Sequence, residues 1–172
     1  MERVGQKAFN TAIFIDHRGK ICGHYRKVNL EEGNQPKWYF NCVGNKLRAF
    51  NTPLGRCGII ICADRGNSMV VRALALDGAQ MILIPIFGSK SKIQNGFVLA
   101  RARENGIPVV QANRGMNMMV SKGKMIAYEW GNDRITVGNI EVPCKISQTN
   151  ARIAEKNYFL TQDRTLRNQY LK

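Results

Sequence analysis

The sequence predicts an α/β layered fold, and three observations predict it. Three short apolar runs, 57–62, 81–84 and 107–112, are rich in Ile, Val and other β-favouring residues. Continuous runs of that length mark strands buried on both faces, as in parallel sheets under helices. Stretches with helical spacing lie between the runs and stop at Gly78 and Gly106. Turn-rich segments with hairpin character flank this centre on both sides. Strand–helix–strand–helix–strand with flanking hairpins is a layered α/β arrangement.

Taken in order, residues 10–15 read as a strand that ends in the turn Asp16-His17-Arg18-Gly19-Lys20, with 21–25 as its hairpin partner. Lys27 falls where that second strand ends. Residues 31–44 form a loop with Gly33, Asn34, Pro36 and Gly44, interrupted by Trp38-Tyr39-Phe40. A short strand at 46–50 and a turn at 51–55 lead into the 57–62 run. Ala63, Asp64 and Arg65 break that run, and Asn67 or Ser68 caps a helix through Val70, Ala73 and Leu74. The 81–84 strand is closed by Pro85, and 87–92 is a loop. In 93–105, Ile93, Phe97 and Ala100 fall at i, i+4 and i+7, with Arg101 and Glu104 on the polar side. The 107–112 strand carries Asn113-Arg114-Gly115 at its carboxyl end. Residues 118–120 and 125–128 pair around Ser121-Lys122-Gly123, 134–142 is a further strand, and Thr149 or Asn150 caps a polar surface helix over 151–171.

A chain of 172 residues is one domain's worth, or part of a larger one. Its 44% apolar content is ordinary for a soluble globular protein. No apolar run approaches the ~20 residues of a membrane span, and the first residues lack a secretory signal pattern. The five cysteines, 22, 42, 57, 62 and 144, show no CxxC spacing, and only His17 and His24 could join them. That argues against a zinc site and fits a reduced, cytoplasmic setting. The net charge of +14 raises nucleic-acid or anionic-membrane binding. The basic residues are scattered, however, and no zinc-finger or RNP-type motif accompanies them, so a solvated basic surface is the simpler reading.

The chemistry centres on Cys62. At the last residue of a strand before a helix, its sulfur sits at the carboxyl edge of a sheet, where ligands of α/β folds bind. The helix start beyond it favours negative charge there. Taken alone, Cys62 reads as a buried core cysteine, and Lys27 as a surface lysine.

Ordered motifs then carry a resemblance. Asn10-Thr11-Ala12 through Asp16-His17-Arg18-Gly19, with Tyr25-Arg26-Lys27-Val28, resembles the lysine motif of the nitrilase superfamily of carbon–nitrogen hydrolases. Thr52-Pro53-Leu54-Gly55-Arg56-Cys57-Gly58 to Cys62-Ala63-Asp64-Arg65 resembles its cysteine motif. Arg72-Ala73-Leu74-Ala75, Gly78-Ala79, Ala102-Arg103-Glu104-Asn105 and Ala112-Asn113-Arg114-Gly115 resemble later landmarks, so that the likeness spans most of 9–143. It implies a four-layer α-β-β-α sandwich. It also implies C–N bond cleavage of a small amide, carbamoyl compound or nitrile through a cysteine thioester, without cofactor or metal. Cys62 becomes the nucleophile, Lys27 the cation on the oxyanion, and the Ala63 N–H the second oxyanion donor. Arg65 is a candidate for a substrate carboxylate, and Phe87 and Asn113 are candidate pocket residues, each otherwise a plain loop residue. The resemblance further implies a homo-oligomer.

Three departures stand beside it. The family's general-base glutamate lies well upstream of the lysine motif, and the only acids before Lys27 are Glu2, ahead of the first strand, and Asp16, in a hairpin turn. Pro36 occupies the place of a further glutamate in the loop, with Glu31 and Glu32 out of register. Ser68-Met69 replaces the usual Pro-Glu. These predict a partial hydrolase domain over 1–146, lacking N-terminal strands and helices and inactive by itself, with a helical extension over 147–172. The alternative is a non-catalytic interaction domain of the same descent.

Overall fold

The structure is a computed structural model that describes residues 1–30, 40, 42–88, 92–132, 134–144 and 150–162. The candidate features at Glu31, Glu32, Pro36 and 37–39, and the boundary at 146/147, lie outside the described residues, as does 163–171 of the last helix.

The centre is a six-stranded sheet in the order β10-β9-β8-β7-β6-β5. Strands β6 (Gly55–Ile59), β7 (Met81–Ile86) and β8 (Val109–Asn113) run parallel, with Ile59 opposite Leu83 and Ile86 opposite Asn113. These are the three apolar runs, shifted by a few residues. The first strand stops at Ile59 rather than Cys62, because a 3-10 turn begins at Cys62. The second passes through Pro85 to Ile86. Strand β5 (Phe50–Thr52) pairs antiparallel with β6 across a tight turn, so the segment read as a turn supplies strand on both sides. Strands β9 (Met116–Ser121) and β10 (Lys124–Trp130) form the hairpin expected around Lys122 and Gly123.

Helices α1 (Ser68–Leu76) and α2 (Lys92–Asn105) are the parallel crossovers. The Asn67 side chain caps α1 by accepting from the Met69 N–H, and Gly78, at φ 84°, supplies the left-handed residue that ends it. Val70, Val71, Ala73, Leu74 and Ala75 are all buried. A helix apolar nearly all round needs cover on two sides. The sheet gives one and α3 (Ala151–Gln162) the other. The polar composition of α3 suggested a surface helix, but Ala151 and Tyr158 on its inner face are buried.

Two further hairpins complete the fold. β3 (Thr11–Ile15) and β4 (Ile21–Arg26) pair as expected and pack on β5, where Phe14 meets Phe50 with ring centroids 5.9 Å apart. β1 (Glu2–Val4) and β2 (Lys7–Phe9) pair as well, so Glu2 lies within a strand instead of ahead of one. The strand expected at 134–142 joins no ladder. Its contacts run to side chains: Asn117 Nδ2 donates to the Arg134 carbonyl, the Glu141 N–H donates to Ser121 Oγ, and Gln80 Nε2 donates to the Pro143 carbonyl. Among the described residues no helix is long and apolar enough to cross a membrane.

Candidate functional site

The site is built from the ends of β4, β6, β7 and β8. Side chains alternate along β4, so Gly23 and Tyr25 turn inward while His24 and Arg26 turn outward. One residue beyond, Lys27 continues the inward register and is 2% exposed, which excludes the surface-lysine reading. Its backbone is held on both sides: its N–H donates to the Asn10 carbonyl at 2.8 Å and its carbonyl accepts the Gly44 N–H at 2.8 Å. Only glycine allows the second approach, because a Cβ on Gly44 would lie 2.1 Å from the Arg26 carbonyl oxygen.

Cys62 opens the 3-10 turn Cys62–Gly66 with φ 50°, a left-handed conformation costly for a residue with a side chain. It is partly buried, unlike Cys57, which has no exposure. Gly88, just past β7, borders the sulfur: a Cβ there would sit 3.5 Å from Cys62 Sγ. The Gly88 N–H donates to Asn113 Oδ1 at 3.2 Å, so the ends of β7 and β8 are tied beside Cys62. The Ala63 N–H precedes the first hydrogen bond of the turn, from the Asp64 N–H to the Ile61 carbonyl. Helix α1 starts at Ser68, so the turn stands between it and the sulfur.

Asp64 joins the two halves, and sequence reasoning gave it no role. It has no exposure. One carboxylate oxygen accepts from Tyr25 Oη at 2.7 Å and from the Ile61 N–H at 2.9 Å; the other accepts from the Asn29 N–H at 3.1 Å. Two of these donors flank Lys27 and the third lies next to Cys62. Burial pushes the Asp64 carboxyl up from 3.8 to about 6, and these hydrogen bonds and the charge of Lys27 hold it from rising further. The buried Tyr25 phenol is pushed well up, by burial first and by Asp64 second. An acid two residues past a candidate nucleophile is a visible signal, but two of its three donors lie 39 and 35 residues away in sequence.

The remaining candidates fall into distinct places. Arg65 is 3% exposed and donates to Gln111 Oε1 on β8 at 2.8 Å, a bond that runs into the interior. Asn113 is buried at the sheet edge. Phe87 is 74% exposed, with the Arg114 guanidinium 5.5 Å from its ring centroid. Asn113, Arg114, Asn117, Asn132 and Arg134 line a cleft of about 430 Å³ along this edge. Glu2 accepts from Arg26, Thr11 and the His24 ring, all on the outward side of the hairpins, away from Tyr25 and Lys27. Asp16 is spent on the Arg18 and Lys20 N–H groups of its own turn. Neither faces Cys62. Among the described residues no group of His, Cys, Asp and Glu is arranged to hold a metal ion.

Comparison with known proteins identifies the family and the fold. The family model described as carbon-nitrogen hydrolase matches residues 1–138. The N-carbamoylputrescine amidase of Solanum lycopersicum is 29% identical over 146 residues, 78% of this chain and 47% of that protein. The citrullinase of Francisella tularensis is 30% identical over 125 residues, 66% of this chain and 43% of that protein. The chain thus spans about half the length of the curated relatives it matches. Among solved structures, a carbon-nitrogen hydrolase from Helicobacter pylori superposes with TM-score 0.73 at 21% identity, over 99% of this chain and 68% of that one. The amidase from Nesterenkonia sp. AN1, in a glutamate-to-glutamine mutant bearing acrylamide added to its active-site cysteine, superposes with TM-score 0.69 at 25% identity, over 86% of this chain and 62% of that one. The fold is therefore the nitrilase-type α-β-β-α sandwich, of which this chain supplies a part.

Proposed function

Because the chain belongs to the carbon–nitrogen hydrolase family, we propose that it carries the nucleophile and oxyanion donors of a cysteine hydrolase acting on a small, non-peptide amide or carbamoyl compound. The observation that carries this reading is the link between a buried lysine and a cysteine in a strained turn through one carboxylate, Asp64. In the proposed reaction the Cys62 thiolate attacks the carbonyl carbon and a C–S bond forms. The Lys27 ammonium and the Ala63 N–H stabilise the oxyanion. The C–N bond then breaks, the amine leaves with a proton, and water clears the thioester. Phe87 and Asn113 are proposed to shape the pocket, with Arg65 a candidate for a substrate carboxylate only if its bond to Gln111 is given up. Assembly into a homo-oligomer, read by light scattering, is part of the proposal.

The protons are the weak point. Asp64 is buried among its three donors, and Glu2 and Asp16 face elsewhere. A positioned acid–base group contributes typically ~10²–10⁴-fold, so this chain is proposed to acylate slowly and to turn over little. The same observation favours a second reading, a domain that binds without cleaving. The test is incubation with small amides and N-carbamoyl compounds, with mass spectrometry of the Cys62 peptide. An acyl adduct is expected in the wild type, none in Cys62→Ala, and one formed at least ~10²-fold more slowly in Lys27→Ala. An adduct that persists in Cys62→Ala refutes the mechanism, and bound but unmodified compound supports the second reading.

A further inference from the structure

The family match ends at residue 138, and α3 lies beyond it. Its polar sequence looks like an appendage, yet Tyr158 has no exposure and belongs to one core cluster with Tyr25, Val28, Leu47, Ile60 and Ile61. Those residues bracket Lys27 on one side and Cys62 on the other. About one helical turn earlier, Glu155 accepts the Leu47 N–H at 2.7 Å and pairs with Arg48, which fastens α3 to the segment between β4 and β5. The ring of Tyr158 is therefore held in place from two directions.

Its hydroxyl is the unexplained part. It is buried and has no hydrogen-bond partner among the described residues. A buried orphan of this kind carries a cost that phenylalanine would avoid. Two of the three donors to Asp64, Tyr25 and Ile61, belong to the same buried cluster as Tyr158, and burial first, with the charge of Asp64 second, pushes the Tyr158 phenol up. Tyr25 on β4, Asn29 after it and Ile61 in its own turn donate to Asp64, and the charge of Lys27 draws its carboxyl down. A dipole fixed in that buried interior acts on the carboxylate more strongly than it could in solvent.

We propose that α3 is part of the active-site scaffold and that Tyr158 is a positioning residue, acting on Cys62 through Asp64. Its ring closes the back of the Asp64 pocket to water, and its hydroxyl contributes to the field that keeps Asp64, Tyr25 and Lys27 in register. The proposal rests on Cys62 being the reactive group.

The test uses the full chain, iodoacetamide, and peptide-mapped alkylation rates for Cys62, with the exposed Cys144 as internal reference. Tyr158→Phe removes the orphan hydroxyl and keeps the ring, and a melting curve verifies the fold. The Cys62-to-Cys144 rate ratio is expected to fall by about three- to tenfold in Tyr158→Phe, the range of one hydrogen-bond-sized interaction. Tyr158→Phe should add nothing in an Asp64→Asn background. Should Asp64→Asn not fold, Tyr25→Phe, which removes one donor to the same carboxylate, takes its place in the cycle. An unchanged ratio in Tyr158→Phe, or an equal fall in both backgrounds, makes Tyr158 a packing residue and overturns the proposal. A wild type in which Cys62 reacts no faster than Cys144 defeats the nucleophile reading itself, and this inference with it.

Discussion

Replacing Asp64 by asparagine should change how stability depends on pH, in a direction the structure sets. The Asp64 carboxyl is raised from 3.8 to about 6 in the folded chain, with burial as the main cause. Between those values the folded state holds a proton that the unfolded state has lost. Stability therefore falls as pH rises through this window, and is greatest below it. At ~1.36 kcal/mol per pH unit, the difference between 3.8 and about 6 corresponds to about 3 kcal/mol. Asparagine does not titrate, so the variant lacks this slope. It also sets an N–H group against the donating Tyr25 hydroxyl or the Asn29 N–H, a mismatch that costs about 1–3 kcal/mol at every pH. The assay is urea denaturation of both proteins at half-unit steps from pH 4 to pH 7. The wild-type minus variant difference should shrink by about 2.4 kcal/mol across the range, less than the full amount because the unfolded carboxyl is already partly ionised at pH 4, and every other group titrates alike in both. Parallel curves would mean that Asp64 is solvated or already ionised in the folded chain, and the account of it as a buried tie would fail.

Two further predictions concern the periphery of the site. The hydrogen bond from Arg26 holds the Glu2 carboxyl down at about 2, so its stabilisation is present above the usual carboxylate range and is lost as pH falls toward 2. Glu2→Gln should lower stability at pH 7 by about 1 kcal/mol after allowance for solvent screening, and melting curves of the two proteins should converge near pH 2. Gly88→Ala should leave the melting temperature unchanged but slow iodoacetamide alkylation of Cys62, because the added methyl would stand 3.5 Å from the sulfur. An unaltered alkylation rate would place the approach to Cys62 on another side.

What could be read from the sequence followed from local chemistry. The parallel β6-β7-β8 core shows itself in three apolar runs, and the α1 cap in Asn67, because each needs only neighbouring residues. Cys62 could be placed at the sheet edge, though not in the left-handed turn it occupies, since the apolar run continues past the last ladder bond at Ile59. The 134–142 segment has the alternation of a strand but meets side chains of β9 and Gln80 instead of a free strand edge. Asp64 and Tyr158 were beyond reach for a different reason. Asp64 looks like a residue that breaks an apolar run, and only the folded chain brings Tyr25 and Asn29 to it. Tyr158 is a large buried group in a twelve-residue helix that is otherwise mostly polar, too little to reveal a buried face.

The outer edge of the sheet bears on how the protein behaves in solution. Strand β10 ends the sheet among the described residues, and Met125, Ile126, Tyr128 and Trp130 along it are exposed. Such an edge is a template for pairing with a second chain. The charge of +14 opposes that encounter, but only over the reach of unscreened repulsion, about 10 Å at 0.1 M salt and about 3 Å at 1 M. The colloidal state of the protein is thus set by ionic strength. A solution clear in dilute buffer should grow turbid as salt is added.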